Sequence, residues 1–98
     1  MNINLEKQNE LLVVKLQGRL DTTTSPALEE VINNLESGIK DLVIDIKELE
    51  YISSAGLRVL LAAQKKMNKL GSMKVLNVCD SIMEIFEITG FIDILVIE

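Results

Sequence analysis

Short runs of apolar, often β-branched residues alternate along this chain with segments in which apolar residues recur every three to four positions. The runs have the length and composition of β-strands, and the spaced segments have the periodicity of amphipathic α-helices. The predicted strands cover residues 2–7, 11–16, 41–46, 73–78 and 94–97. The predicted helices begin near residues 25, 54 and 81 and end before Gly38, Gly71 and Gly90. The order β-β-α-β-α-β-α-β predicts an α/β fold with a mixed β-sheet of four to five strands and helices packed on it.

Local patterns make further predictions about these elements. Ser25 is expected to be the N-cap of the first helix and Pro26 its first helical residue, where a missing N–H costs nothing. Asp80 or Ser81 is expected to cap the third helix, and residues 81–84, Ser-Ile-Met-Glu, fit the capping-box pattern there. Gly90 is typical of a helix C-terminus. The nearly continuous apolar run at 41–46 indicates a central strand that is covered on its faces.

Length and charge exclude several classes of protein. A chain of 98 residues is expected to form one domain, here residues 1–98. The net charge of −5 disfavours nucleic acid as a partner, because phosphates attract clustered Lys and Arg. No apolar run approaches the roughly 18 residues of a membrane span, and the N-terminus lacks the pattern of a signal peptide. We therefore expect a cytoplasmic protein that binds neither nucleic acid nor a membrane.

The residue types that usually carry catalysis are scarce. The chain has no histidine and a single cysteine, Cys79, so it offers no histidine base, no zinc constellation and no internal disulfide. Asp21 and Asp45 are the only plausible catalytic acids, and neither stands in a recognisable catalytic motif. Cys79 is expected to be an inert, small apolar residue. The sequence therefore predicts a non-enzyme without a metal or cofactor.

Ser53 and Ser54 stand where the helix at 54–70 begins. A helix start leaves N–H groups without intrahelical acceptors and carries a positive partial charge. A serine there can cap the helix, which stabilises it by about 1 kcal/mol, or accept a phosphate, whose charge of roughly −2 suits the free donors. Gly56 also allows two interpretations: it relieves a tight turn, or its missing side chain lets a partner's backbone or a nucleotide approach. The residues alone leave these alternatives open.

Two short motifs resemble the signatures of a known family, the STAS domain of bacterial anti-sigma factor antagonists. Residues 52–57, Ile-Ser-Ser-Ala-Gly-Leu, resemble the signature at the start of its second helix. Residues 18–21, Gly-Arg-Leu-Asp, resemble its Gly-x-Leu-Asp signature at the end of the second strand. The spacing and the element order also match, so the resemblance spans nearly the whole chain and implies a STAS-like single domain.

The resemblance implies a phosphorylation switch. In this family the unphosphorylated antagonist binds an anti-sigma factor that is also a serine kinase of the GHKL type, and this binding releases the sigma factor. The kinase phosphorylates a serine at the start of the second helix, the complex dissociates, and a PP2C-type phosphatase reverses the modification. When the chain is aligned on residues 56–57, Gly-Leu, the acceptor is Ser54.

The chain departs from the family pattern at one position. Many members carry Asp directly before the acceptor, where this chain has Ser53, so Ser53 is the second choice of acceptor. The family places the loop after the second strand beside this serine, which predicts a partner-binding face. Its predicted residues are Asp21, Thr22, Ser53, Gly56, Leu57 and Arg58.

Ordinary structural roles remain possible for several of these residues. Asp21 and Thr22 can form the turn that leads into the first helix, and Arg58 can be a solvated charge. Leu57 is expected to point toward a partner rather than into the core. An alternative function also stays open, in which a STAS-fold subunit that no kinase modifies serves as a structural component of a transporter or signalling complex. The two serines would then only cap the helix.

Overall fold

A four-stranded β-sheet forms the centre of the computed structural model, which describes residues 1–98. The strands are β1 (Asn2–Gln8), β2 (Leu11–Leu20), β3 (Asp41–Ile52) and β4 (Ser72–Leu76), and they lie side by side in that order. β1 and β2 form an antiparallel hairpin whose turn contains Asn9 at a φ of 57°, whereas β2, β3 and β4 are parallel neighbours. The predicted mixed sheet is confirmed.

Three α-helices and one short 3-10 helix complete the fold. They are α1 (Ser25–Asn33), α2 (Ser54–Leu70), α3 (Asp80–Thr89) and the 3-10 helix Phe91–Asp93. The predicted bounds of α2 are confirmed, and α3 ends at Gly90, whose φ of 81° is the left-handed conformation that glycine favours. α1 ends earlier than predicted, so Gly38 does not terminate it. None of these helices has the length and apolar character needed to cross a membrane.

The predicted N-caps of α1 and α3 are wrong. Thr24 is the N-cap of α1, and Ser25 is the first helical residue. Cys79 is the N-cap of α3, and the predicted capping box at 81–84 does not form. Backbone hydrogen bonds define both starts. The Ser25 N–H donates to the carbonyl of Asp21 in the preceding turn at 2.8 Å, and the Met83 N–H donates to the carbonyl of the N-cap Cys79 at 2.8 Å, which is the first hydrogen bond of α3.

The last predicted strand, at 94–97, is reduced to an isolated parallel bridge between Ile97 and Val75. The Val75 N–H donates to the Val96 carbonyl at 2.8 Å, and the Glu98 N–H donates to the Val75 carbonyl at 3.0 Å. The 3-10 helix turns the chain immediately before this segment, so the segment reaches the edge of β4 only at its end. The sheet therefore has four strands, and the order is β-β-α-β-α-β-α.

The hydrophobic core lies on one face of the sheet. Alternate residues of β3, including Leu42, Ile44 and Ile46, are fully buried, whereas Val43 and Asp45 between them are only half-buried. Side chains from all three α-helices join these residues in a single cluster of 22 buried hydrophobic residues. The prediction that the central strand is covered on both faces is therefore wrong, because the helices pack against one side of the sheet only.

Candidate functional site

The carboxyl ends of β2 and β3 meet at one edge of the sheet. Leu20 and Ile52, the last residues of these strands, are paired neighbours. The Ser53 N–H donates to the Leu20 carbonyl at 2.9 Å, which extends the pairing one residue beyond β3. Because both chains leave the sheet here, the turn after β2 and the start of α2 lie side by side. The structure thus brings Asp21 next to Ser53, two residues that are 32 positions apart in sequence.

Ser53 is the N-cap of α2. Its backbone is extended, with φ −96° and ψ 174°, and its hydroxyl oxygen accepts the Gly56 N–H at 3.4 Å. Its carbonyl accepts the Leu57 N–H at 2.9 Å, the first hydrogen bond of the helix. The half-buried Ser53 side chain is therefore engaged in capping.

Ser54 is the first residue of α2 and is exposed. Its hydroxyl forms none of the side-chain hydrogen bonds of the structure, and the first turn of α2 contains no acidic residue. The first N–H groups of a helix have no intrahelical acceptors and carry positive partial charge. An anionic group on the Ser54 oxygen would consequently meet free donors and no negative neighbour on its own helix turn.

Asp21 forms the turn that leads into α1. Its carboxylate accepts the Thr23 N–H at 3.0 Å and the Thr24 N–H at 3.1 Å, and 29% of its side chain is exposed. The Thr24 N–H bond is the main cause that holds the pKa of Asp21 below its ordinary value. Desolvation, the second-largest influence, opposes it, whereas the Thr23 N–H, the Thr24 hydroxyl and the Arg19 charge lower the pKa further. Asp21 thus has a structural role in this turn, and its role in partner contact stays a prediction.

Arg19 is held in place beside this turn. Its guanidinium lies 4.3 Å from the centre of the Tyr51 ring, within the range of a cation–π contact. Its Nε lies 3.8 Å from the Asp21 carboxylate. A register shift between Gly18 and Arg19 sets Arg19 opposite Tyr51. Sequence analysis did not identify this pair, because the shift depends on the pairing of two strands that are far apart in the chain.

A groove of about 340 Å³ separates the first turns of α1 and α2. Thr22 and Arg58, two predicted partner-binding residues, both line it, and both are exposed. The full lining consists of Thr22, Ser25, Pro26, Glu29, Ala55, Arg58 and Val59. Ala55, the residue directly after the predicted acceptor Ser54, also lines the groove, whereas Ser54 itself does not.

Two of the predicted partner-binding residues point inward. Gly56 is buried, and a β-carbon on it would stand 2.8 Å from Leu20 Cγ and 2.9 Å from Ile52 Cγ1. Its missing side chain therefore lets α2 pack closely on the two strands, and it opens no space for a partner or a nucleotide. Leu57 is 7% exposed and belongs to the core, so the expectation that it points toward a partner is wrong. Their positions in the sequence predicted that both residues lie on the first turn of α2, but not that both face the sheet and the core.

Cys79 is exposed at the N-cap of α3, which corrects its assignment as an inert apolar residue. Its Sγ lies 3.3 Å from the Ser81 hydroxyl. That hydrogen bond is the largest of several causes that hold the pKa of the Cys79 thiol below its ordinary value, and the backbone N–H of Ile82 adds to it. Exposure of this thiol could not be read from the sequence, since it depends on where β4 ends.

Comparison with known proteins identifies the family. Residues 2–98 match the model of the STAS domain family. The anti-sigma-B factor antagonist of Staphylococcus aureus (strain NCTC 8325 / PS 47) is 34% identical over 99 residues, which cover 97% of this chain and 92% of that protein.

Two solved structures resemble the fold. An anti-sigma factor antagonist from Mycobacterium paratuberculosis has a TM-score of 0.87 at 27% identity and is matched over 98% of this chain and 83% of that one. The Bacillus cell fate determinant SpoIIAA in its phosphorylated form has a TM-score of 0.70 at 17% identity, over 99% of this chain and 91% of that one, which is a likeness of fold alone. Because the family match extends over residues 2–98 and the S. aureus relative is matched along most of both chains, the protein belongs to the STAS domain family.

Proposed function

We propose that this protein is an anti-sigma factor antagonist whose binding is controlled by phosphorylation of Ser54. The observation that carries the proposal is the division of roles between the two serines at the start of α2. Ser53 caps the helix through its hydroxyl, whereas the hydroxyl of Ser54 is exposed and unengaged. The similarity to the S. aureus anti-sigma-B factor antagonist, at 34% identity, supports the same class of function.

In the unphosphorylated state the protein binds an anti-sigma factor that is a GHKL-type serine kinase, and the sigma factor is released. The kinase then transfers a phosphoryl group from ATP. The Ser54 oxygen forms a bond to the γ-phosphorus, the bond between that phosphorus and the bridging oxygen breaks, ADP leaves, and the serine proton passes to a base of the kinase. A PP2C-type phosphatase hydrolyses the phosphoserine and restores the binding state.

The proposed contact face is smaller than the sequence indicated. It consists of the exposed residues around Ser54, namely Thr22 and Arg58 in the groove, together with the accessible parts of Asp21 and Ser53. A phosphate carries a charge of roughly −1.5 to −2. In this interface it would have to be desolvated, and a loss of about 3 kcal/mol would already weaken binding more than a hundredfold. The switch therefore needs no refolding of the domain.

In this proposal the chain is a binding regulator and performs no catalysis itself. Phosphoryl transfer and hydrolysis belong to the kinase and the phosphatase. The purified protein is accordingly expected to turn over no ATP on its own. Sustained ATP turnover by a preparation free of kinase would contradict this part of the proposal.

The deciding experiment is phosphorylation by a GHKL-type kinase from the same genome, followed by mass spectrometry of the peptide that spans residues 51–58. We expect one phosphate on Ser54 in the wild type, none in Ser54→Ala, and a largely intact modification of Ser54 in the comparison variant Ser53→Ala. Isothermal titration should show that Ser54→Ala still binds the kinase, whereas Ser54→Asp binds more weakly. Phosphate on Ser53 would overturn the choice of acceptor. Phosphate on neither serine would favour an unregulated structural subunit.

A further inference from the structure

We propose that Arg58 binds the phosphate of phosphorylated Ser54 within the protein, so that the modification withdraws the Arg58 guanidinium from the groove between α1 and α2. This inference rests on the proposed phosphorylation of Ser54. It adds a residue of the same chain that binds the phosphate. Arg58 would contact the partner before phosphorylation and the phosphate on Ser54 after it.

The position of Arg58 on the helix makes this contact possible. Ser54 and Arg58 are four residues apart on α2, and such side chains lie on one face with about 5–6 Å between their β-carbons. Side chains of an α-helix lean toward its N-terminus, so the turn that begins at Ser54 is within reach of the long Arg58 side chain. A guanidinium forms two parallel hydrogen bonds with a phosphate, which makes Arg a stronger receptor than Lys in this geometry.

The guanidinium of Arg58 is free to make this contact. It takes part in none of the side-chain hydrogen bonds or ion pairs of the structure, and 58 is an exposed position. Arg19, the other arginine at this edge of the sheet, is already held between the Tyr51 ring and the Asp21 carboxylate. A phosphate can therefore bind Arg58 without breaking an existing contact, whereas binding Arg19 would disturb its contacts with Tyr51 and Asp21.

Glu29 and Asp21 are the carboxylates of this region that would compete for Arg58. Glu29 lines the same groove, and it makes no ion pair with Arg58. Asp21 is occupied by the N–H groups of Thr23 and Thr24. A phosphate with a charge of roughly −1.5 to −2 on the same helix face attracts the guanidinium more strongly than one carboxylate on another helix. We therefore expect the phosphate to take Arg58 and to leave Glu29 without an opposing charge in the groove.

The consequence for a partner is a change of charge along the groove. Before modification the groove presents Arg58 on one wall and Glu29 on the other. Afterwards the guanidinium is paired with the phosphate at the N-terminus of α2, and Glu29 is the remaining unpaired charge of the lining. A partner that recognises Arg58 thus loses that contact in addition to meeting the phosphate itself.

The test uses the full chain with phosphoserine introduced chemically at position 54, by semisynthesis, so that no kinase is involved. The second pKa of the phosphate, near 6 in isolation, is followed by ³¹P NMR between pH 4 and 8. A bound guanidinium favours the dianion and lowers this pKa. We expect a midpoint lower by about half a pH unit in the wild type than in Arg58→Gln, with Arg58→Lys in between because an ammonium binds as a point charge.

The matched control is Arg19→Gln, which removes the neighbouring arginine that is already engaged. Its midpoint should equal that of the wild type, and circular dichroism should show that all variants are folded. Equal midpoints for the wild type and Arg58→Gln, or an equal rise in Arg19→Gln, would overturn the inference. Because the phosphate is installed without a kinase, a failure of enzymatic phosphorylation at Ser54 would refute the proposed function and leave this titration result unaffected.

Discussion

A β-carbon added to Gly56 would stand 2.8 Å from Leu20 Cγ, which is closer than side-chain atoms approach one another. Leu20 is the last residue of β2 and is completely buried, and Ile52, the other near neighbour, is 3% exposed. α2 can therefore lie this close to the ends of β2 and β3 only because residue 56 lacks a side chain. The glycine two residues after the candidate acceptor thus sets the position of the helix that presents Ser54.

Gly56→Ala tests this relationship. Overpacking in a core costs about 1–3 kcal/mol, while the gain in helix propensity is about 1 kcal/mol at most. We expect a net loss of up to about 2 kcal/mol in the free energy of unfolding, measured by urea denaturation. Gly38→Ala is the matched control, because a β-carbon there meets nothing within 4 Å; its change should stay within about 0.5 kcal/mol. Equal stability of the two variants would show that the close contact relaxes without cost.

Ser53→Ala and Ser54→Ala should differ in stability. The first removes the hydroxyl that accepts the Gly56 N–H, and loss of an N-cap typically costs about 1 kcal/mol. The second removes an exposed hydroxyl with no intramolecular bond and should leave the free energy of unfolding within about 0.5 kcal/mol of the wild type. Thermal and urea unfolding of both variants would measure this. The reverse order of stabilities would mean that Ser54, and not Ser53, caps the helix.

Asp21→Asn should reduce stability in a pH-dependent manner. The pKa of Asp21 is lower in the folded protein than its ordinary value of 3.8, chiefly because its carboxylate accepts the Thr24 N–H. A carboxylate with a depressed pKa stabilises the folded state fully above its unfolded pKa, and this contribution disappears as the pH falls through the folded pKa. The wild type should therefore be more stable than Asp21→Asn at pH 7, and the difference should vanish when both are compared below the folded pKa.

Urea midpoints measured in steps from pH 7 to pH 2 would show this convergence. Thr22→Ala is a suitable control in the same turn, because the Thr22 side chain makes none of the hydrogen bonds of the structure. Its stability should run parallel to that of the wild type at every pH. A constant difference between Asp21→Asn and the wild type across the range would contradict the assigned role of the carboxylate.

Ser81→Ala should raise the pKa of the Cys79 thiol, because the Ser81 hydroxyl is the largest of the groups that lower it. A thiol reacts with iodoacetamide as the thiolate. The pH at which alkylation reaches half its maximal rate should therefore lie below that of the urea-unfolded protein in the wild type, and it should move upward in Ser81→Ala. An unchanged profile in the variant would show that the hydroxyl does not stabilise the thiolate.

The sequence alone determined most of the elements and their order. Periodicity defined α2 at 54–70 because its apolar residues return to one face every three to four positions, which is a local property of the helix. Apolar runs likewise located the two strands of the hairpin and the two strands that follow it. Gly90 marked the end of α3 because glycine adopts the left-handed φ found there. The motif at 52–57 directed attention to Ser54, which does begin α2.

The tertiary structure decided which residues near Ser54 are buried and which of the two serines caps α2. Leu57 and Gly56 are buried because α2 packs on Leu20 and Ile52, and Leu20 is distant in sequence. The first helical residue of α1 and the lone bridge at Ile97 likewise depend on turn geometry and on contact with another strand. Hydrophobic spacing encodes an element through neighbours a few residues away, whereas caps, grooves and exposed hydroxyls arise only where separate elements meet in space.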